Sequence, residues 1–148
     1  MIRSAIGIVT LLSLAATPLP ALETFTSGQI WTYEARATEP ESRIVILRVE
    51  EYPKPGRIVH VAVVGLQRRM PDGTLETWRI GPAPFTEAAL RKSVLKLESG
   101  KAAVSMADFE EFYTHWRKMA DRGKVQHWSS PVPDAIRRME KQMFKGPK

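Results

Sequence analysis

The chain has 148 residues, 43% of them hydrophobic and 26% charged, with a formal net charge of +6. That length suits one ordinary domain with a real core, and the composition excludes a multidomain enzyme, wholesale disorder, a collagen repeat and a polytopic membrane protein. Cysteine is absent, which excludes disulfides, thiolate metal sites, a cysteine nucleophile and a lipid-bearing cysteine.

Residues 1–21 read as an export signal. Arg3 supplies the positive charge, Ala5 to Ala16 is uncharged and mostly apolar, and Thr17-Pro18-Leu19-Pro20-Ala21 breaks any helix before a small residue. The apolar run is shorter than the roughly 20 residues that span a bilayer, so cleavage after Ala21 is expected, with a rival site near Ala16. Residues 22–148 are then expected to form a single domain, released into the periplasm or secreted. No asparagine occurs, so no N-glycosylation acceptor exists.

The first half of the mature chain, residues 22–80, reads as strands. Gln29 to Arg36 alternates with Trp31, Tyr33 and Ala35 on one side. Arg43 to Tyr52 carries Val45, Leu47 and Val49 on one face and Ile44 and Ile46 on the other, the pattern of a central strand. Lys54-Pro55-Gly56-Arg57 suits a type II turn into Ile58 to Gln67, and Met70-Pro71-Asp72-Gly73 suits a type I turn with a glycine bulge into Thr74 to Ile80. Short turns between consecutive strands make an antiparallel meander of about four strands.

From residue 81 to 148 the period becomes helical. After Gly81-Pro82-Ala83-Pro84, Thr86 caps an expected helix with Leu90, Val94 and Leu97 in one stripe, ending at Gly100. Ser105 or Asp108 opens a second, with Phe109, Phe112, Trp116 and Met119 inward and Gly123 as the stop. A third follows Ser130-Pro131-Val132-Pro133, with Ile136, Met139 and Met143 inward and Arg137, Arg138, Lys141 and Lys145 outward, before Gly146-Pro147. Strands followed by about three helices predict an α+β fold with the helices packed on one face of the sheet.

Charge follows the same division. Residues 22–80 hold eight basic and eight acidic side chains, while residues 81–148 hold thirteen basic against eight acidic. Attraction to an anionic partner should therefore centre on the helical half, and Arg137, Arg138, Lys141 and Lys145 are the candidate binding residues.

Motifs for chemistry are few. Ser93-Val94-Leu95-Lys96 matches S-x-x-K, but the S-D-N and K-T-G elements of that site are missing, so Ser93 is read as part of a solvated helix face rather than as a nucleophile. Glu111 and His115 stand at i and i+4, which suits a metal pair or, more simply, an exposed polar face. His60 shares a strand face with Ile58, Ala62 and Val64 and reads as a core or sheet histidine, and His127 lies beside Trp128. Glu50-Glu51 and Glu110-Glu111 are neighbours that point apart and do not converge as an acid/base pair. Trp31, Trp78 and Trp116 fit the core pattern, whereas Trp128, in the polar stretch His127-Trp128-Ser129-Ser130, is a second candidate for contact. No metal or cofactor is expected.

Phe25-Thr26-Ser27-Gly28-Gln29-Ile30-Trp31-Thr32-Tyr33, followed by Arg36, Ile58-Val59-His60-Val61 and Gly65-Leu66, resembles the start of a scattered group of small exported bacterial proteins whose mature domains open with F-x-x-G-x-x-W-x-Y. The resemblance implies bacterial origin, export and a strand meander with a helical tail, and carries no site residues.

A small, site-poor domain of this kind is expected to be a non-catalytic binding or interaction protein of the periplasm or envelope. A toxin-neutralising immunity protein, which works by occluding a surface, is one instance. Its partner would be an anionic protein surface or envelope polymer. Nucleic acid is not expected, since no basic-aromatic module is present. The alternative is a small periplasmic hydrolase or carbohydrate-binding enzyme whose site is assembled from residues distant in sequence. A deep polar pocket would mark the enzyme, and a shallow basic surface the binder.

Overall fold

The computed structural model describes residues 22–100, 102 and 106–145. The expected export signal, the Ser105 helix start and the Gly146-Pro147 end lie outside the described residues. The elements are β1 (Ile30–Tyr33), β2 (Arg43–Glu51), β3 (Arg57–Arg69), β4 (Leu75–Thr86), α1 (Glu87–Arg91), β5 (Val94–Glu98), α2 (Met106–Ala120) and α3 (Val132–Met143). The fold is α+β: a five-stranded antiparallel sheet of order β4-β3-β2-β1-β5, with α1 ahead of β5 and α2 and α3 after it.

β1 to β4 form the expected meander, with β2 in the middle of the sheet. Gly56 and Gly73 mark its two hairpin turns, at φ +95° and +86°, where a residue without a Cβ avoids the left-handed penalty. The second turn has the expected form: Gly73 N–H donates to Met70 O at 2.9 Å and Met70 N–H to Thr74 O at 2.8 Å. In the first, the Lys54–Pro55 bond is cis, in place of the trans bond of a type II turn. The aromatic opening segment is core. Phe25, Trp31 and Tyr33 are all buried, Phe25 and Trp31 meet edge to face at 5.5 Å, and Gly28, at φ +90°, donates to Ile46 O at 2.8 Å.

Apolar residues fill both faces of the sheet, and the helices divide between them. Ile44, Ile46, Val59, Val61 and Val63 pack with Leu90 of α1 and with Val132, Ala135 and Ile136 of α3. On the other face Val45, Leu47 and Ala62 pack with Phe109, and Ile58 packs with Trp116 and Ala120, all three from α2. The arrangement expected for all the helices, one shared face, thus holds for α1 and α3, while α2 covers the opposite side. The two apolar faces of β2 require this second cover.

Two segments differ from the sequence reading. Thr86 caps a helix as expected, accepting from Ala89 N–H at 3.2 Å, but α1 stops at Arg91 and Val94–Glu98 is a strand beside β1. Val94 and Leu97 are spaced for a helix, yet pairing along the otherwise open β1 edge satisfies a row of backbone groups, and that outweighs a five-residue preference. β4 also runs through Gly81-Pro82-Ala83-Pro84 to Thr86. It is an edge strand, where prolines leave no ladder donor missing. Its outer edge is covered at the far end, where Trp128 N–H donates to Pro84 O and Thr86 N–H to Trp128 O.

Candidate functional site

The end of β3 and the last turns of α3 meet beside the β1–β2 loop. Arg36, Gln67, Arg68, Arg69, Arg137, Glu140, Lys141 and Phe144 line an open groove of about 620 Å³. Two of the candidate residues, Arg137 and Lys141, are in it. Arg138 and Lys145 are exposed but outside its lining. Sequence reasoning missed Arg36, Arg68 and Arg69, whose only local signal is the Arg68-Arg69 doublet at the end of a β-branched run.

Ion pairs decide how much of this charge is available. Arg36 holds Glu140 through two bonds of 2.8 and 2.9 Å and Glu39 through bonds of 2.6 and 3.0 Å, which raises the guanidinium pKa further. Arg68 pairs with Glu76, and Arg137 with Asp134. Arg69 donates to Gly73 O. Arg138, Lys141 and Lys145 have no carboxylate partner among the described residues. Seven cations are therefore met by four carboxylates, Glu39, Glu76, Asp134 and Glu140. The surplus is positive. Arg68 stacks over Phe144, 3.9 Å from its centroid, and its Nε and the Trp78 Nε1 are buried without a hydrogen-bond partner.

Trp128 lines a second groove, of about 580 Å³, at the β4 edge. Phe112 and Trp116 of α2 reach it from one side and Met139 and Met143 of α3 from the other, with Gly81 and Pro82 as its floor. Trp128 is therefore placed by its strand-like bond pair to β4 and is half-buried. His127 is exposed and lines the same groove.

The most polar cluster lies under α2. The register shift between Ile46 and Arg48 reverses the alternation of β2, so Val49 joins the α3-side core and Arg48 and Glu50 turn toward α2. Glu50 accepts from Tyr52 at 3.0 Å, from Tyr113 and from Arg117 at 3.3 Å. His60 lies beneath it, wholly buried, with Nε2 3.8 Å from the Glu50 carboxylate and Trp116 edge-on at 4.5 Å. Neither ring nitrogen has a hydrogen bond. Burial lowers the His60 pKa to about 4, with Arg48 adding to the shift and Glu50 opposing it. Burial and Glu50 together push Tyr52 up to about 12. His60 is neutral near pH 7 but sealed from any substrate, and neither groove opens on Glu50.

Ser93 is not on a helix face. It is buried, donates to Ala89 O at 3.0 Å and accepts from Val132 N–H at 2.9 Å, while Lys96 lies in β5 and is exposed. A nucleophile needs a base within hydrogen-bond reach, and both sides of this hydroxyl are already engaged by backbone. Glu111 and His115 are exposed on α2. No group of three metal-ligating side chains forms among the described residues, and no helix there is long and apolar enough to cross a membrane.

No family model, curated protein or solved structure gives a significant match to this chain. Its functional reading therefore rests on the geometry of the two grooves and of the Glu50 cluster.

Proposed function

We propose that the chain is an exported, non-catalytic binding protein of the bacterial periplasm or envelope that engages an anionic partner through the basic groove and the outer face of α3. The observation that carries this reading is the convergence of Arg68 and Arg69 from β3 with Arg137 and Lys141 from α3 on one open surface. Lysine and arginine in such numbers on one end raise the on-rate for an anionic partner and make it sensitive to salt. A hydrolase is supported less well, since His60 and Tyr52, whose pKa values burial shifts, belong to a packed cluster beneath α2 rather than to a cleft. An acidic protein surface, as for an immunity protein, and an anionic envelope polymer both fit the groove.

The experiment is retention of residues 22–148 on immobilised polyglutamate as salt rises. Changing Arg137, Arg138 and Lys141 together to glutamine should lower the eluting salt concentration clearly and leave the far-ultraviolet circular dichroism unchanged. Equal retention of the two proteins would remove the basis for the proposal.

A further inference from the structure

α3 ends in two exposed apolar side chains, Met143 at 58% and Phe144 at 39% exposure. Neither is loose filler. Phe144 meets Trp78 edge to face at 5.2 Å and lies under the Arg68 guanidinium, contacts that hold its ring against the β3–β4 hairpin rather than inside the core. Met143 lines the aromatic groove and Phe144 the basic one. The pair is therefore the ridge between two grooves, a projection rather than a cleft. Leu75, opposite Arg69 in the same hairpin, is 57% exposed.

The charges around this ridge that no opposite charge balances are mainly positive. Arg138, Lys141 and Lys145 are exposed on α3 and its last turn, and Arg69 is tied only to a backbone carbonyl. Both carboxylates of α3 are taken: Asp134 holds Arg137 and Glu140 holds Arg36. Glu76 holds Arg68, and Asp72 at the hairpin tip accepts from the Thr74 amide and hydroxyl and keeps its negative charge.

We propose that this end of the molecule docks on an anionic phospholipid surface. Phe144 and Met143 enter the boundary between headgroups and acyl chains, and Arg69, Arg138, Lys141 and Lys145 meet the phosphates. The inference rests on the anion-binding reading above and adds the partner. A soluble polyanion engages cations and gains nothing from an apolar ridge. A concave protein partner must match the shape of that ridge, whereas a fluid bilayer covers a projecting apolar pair without shape complementarity, and interfacial helices join the same two features.

The test is co-sedimentation of residues 22–148 with vesicles of phosphatidylglycerol and phosphatidylcholine, compared with phosphatidylcholine alone, alongside the polyglutamate assay. Binding is expected to the anionic vesicles only. Arg138→Gln, Lys141→Gln and Lys145→Gln together should weaken it by roughly a hundredfold at low salt. Met143→Ser with Phe144→Ser should weaken it by about tenfold. Met143→Ser alone, outside the basic groove and leaving the Phe144 contacts to Trp78 and Arg68 in place, should give part of that loss while polyglutamate retention stays as it was. Retention on polyglutamate without vesicle binding would overturn the lipid inference and leave the anionic reading standing. Failure of both assays would overturn both, and vesicle binding indifferent to the two serine substitutions would overturn the inserted ridge.

Discussion

The Ser93 hydroxyl accepts the backbone N–H of Val132 at 2.9 Å while donating to Ala89 O at 3.0 Å, so one buried side chain joins the end of α1 to the start of α3. α3 begins at Pro131-Val132 with no side-chain cap of its own, and the first amides of a helix lack intrahelical partners. Ser93→Ala should therefore destabilise the protein by about 1–3 kcal/mol, the cost of a buried donor left unpaired. Urea unfolding checks this. Polyglutamate retention of the folded variant should not change, because Ser93 does not line the basic groove.

His60 makes stability depend on pH. Its folded pKa, about 4, lies below the ordinary 6.5, so between these values the unfolded chain binds more protons than the folded one and stability falls as pH falls. The contribution is fully present above about pH 6.5 and is lost by about pH 4, amounting to roughly 3 kcal/mol for a shift of this size. Glu50 opposes the shift from β2, and Arg48 adds to it. Unfolding by urea at several pH values should show this slope in the wild type and a much flatter one in His60→Leu, which keeps the apolar contacts to Trp116 and Phe109 without a titrating ring.

Local chemistry makes much of the sheet legible in the sequence. Pro55-Gly56 and Pro71-Asp72-Gly73 announce hairpins because few residues accept φ of +95° or +86°, and the doubly apolar Ile44 to Leu47 announces a central strand. β5 was illegible because five residues hold too little period to separate strand from helix, and its partner β1 is 60 residues and more away in sequence. Strict alternation puts Val49 on the face of Val45 and Leu47 because it hides the bulge after Ile46, which turns Glu50 toward α2. The basic groove was half legible. Arg137 and Lys141 share a helix face that periodicity reveals, but nothing local brings Arg36 and Arg68 to them.

Gly81 leaves less room for a side chain than Gly56, Gly65, Gly73, Gly100 or Gly123. Its φ is +122°, and a Cβ there would stand 2.8 Å from Val61 O and 2.9 Å from the Ala62 Cα, so β3 itself blocks it. Gly56 and Gly73 also have positive φ, but a Cβ at either meets nothing within 4 Å. Gly81→Ala should therefore cost more than the ~1 kcal/mol of unfavourable backbone at either hairpin, about 3 kcal/mol in all, because strand separation must also change. Thermal unfolding of the three alanine variants should rank Gly81→Ala lowest, with Gly56→Ala and Gly73→Ala close together above it.

Glu140 is the carboxylate that lines the basic groove, and its removal pits two effects against each other. Glu140→Gln takes one negative charge from the surface that would receive an anion, which favours binding. It also releases one of the two carboxylates that hold Arg36, which could let that guanidinium leave the groove. The second effect is the weaker one, because Glu39, almost wholly buried, still grips Arg36 at 2.6 and 3.0 Å and is itself fixed by the Gln67 amide at 2.8 Å. The lost pair is partly exposed, 42% at Arg36 and 22% at Glu140, so its stability cost should be about 0–1 kcal/mol. Retention on polyglutamate should consequently increase, by about threefold in affinity at low salt. The gain should shrink as ionic strength passes about 0.1 M, where the screening length is about 10 Å. Weaker retention of Glu140→Gln at low salt would mean that Arg36, held by both carboxylates, is itself the principal anion contact.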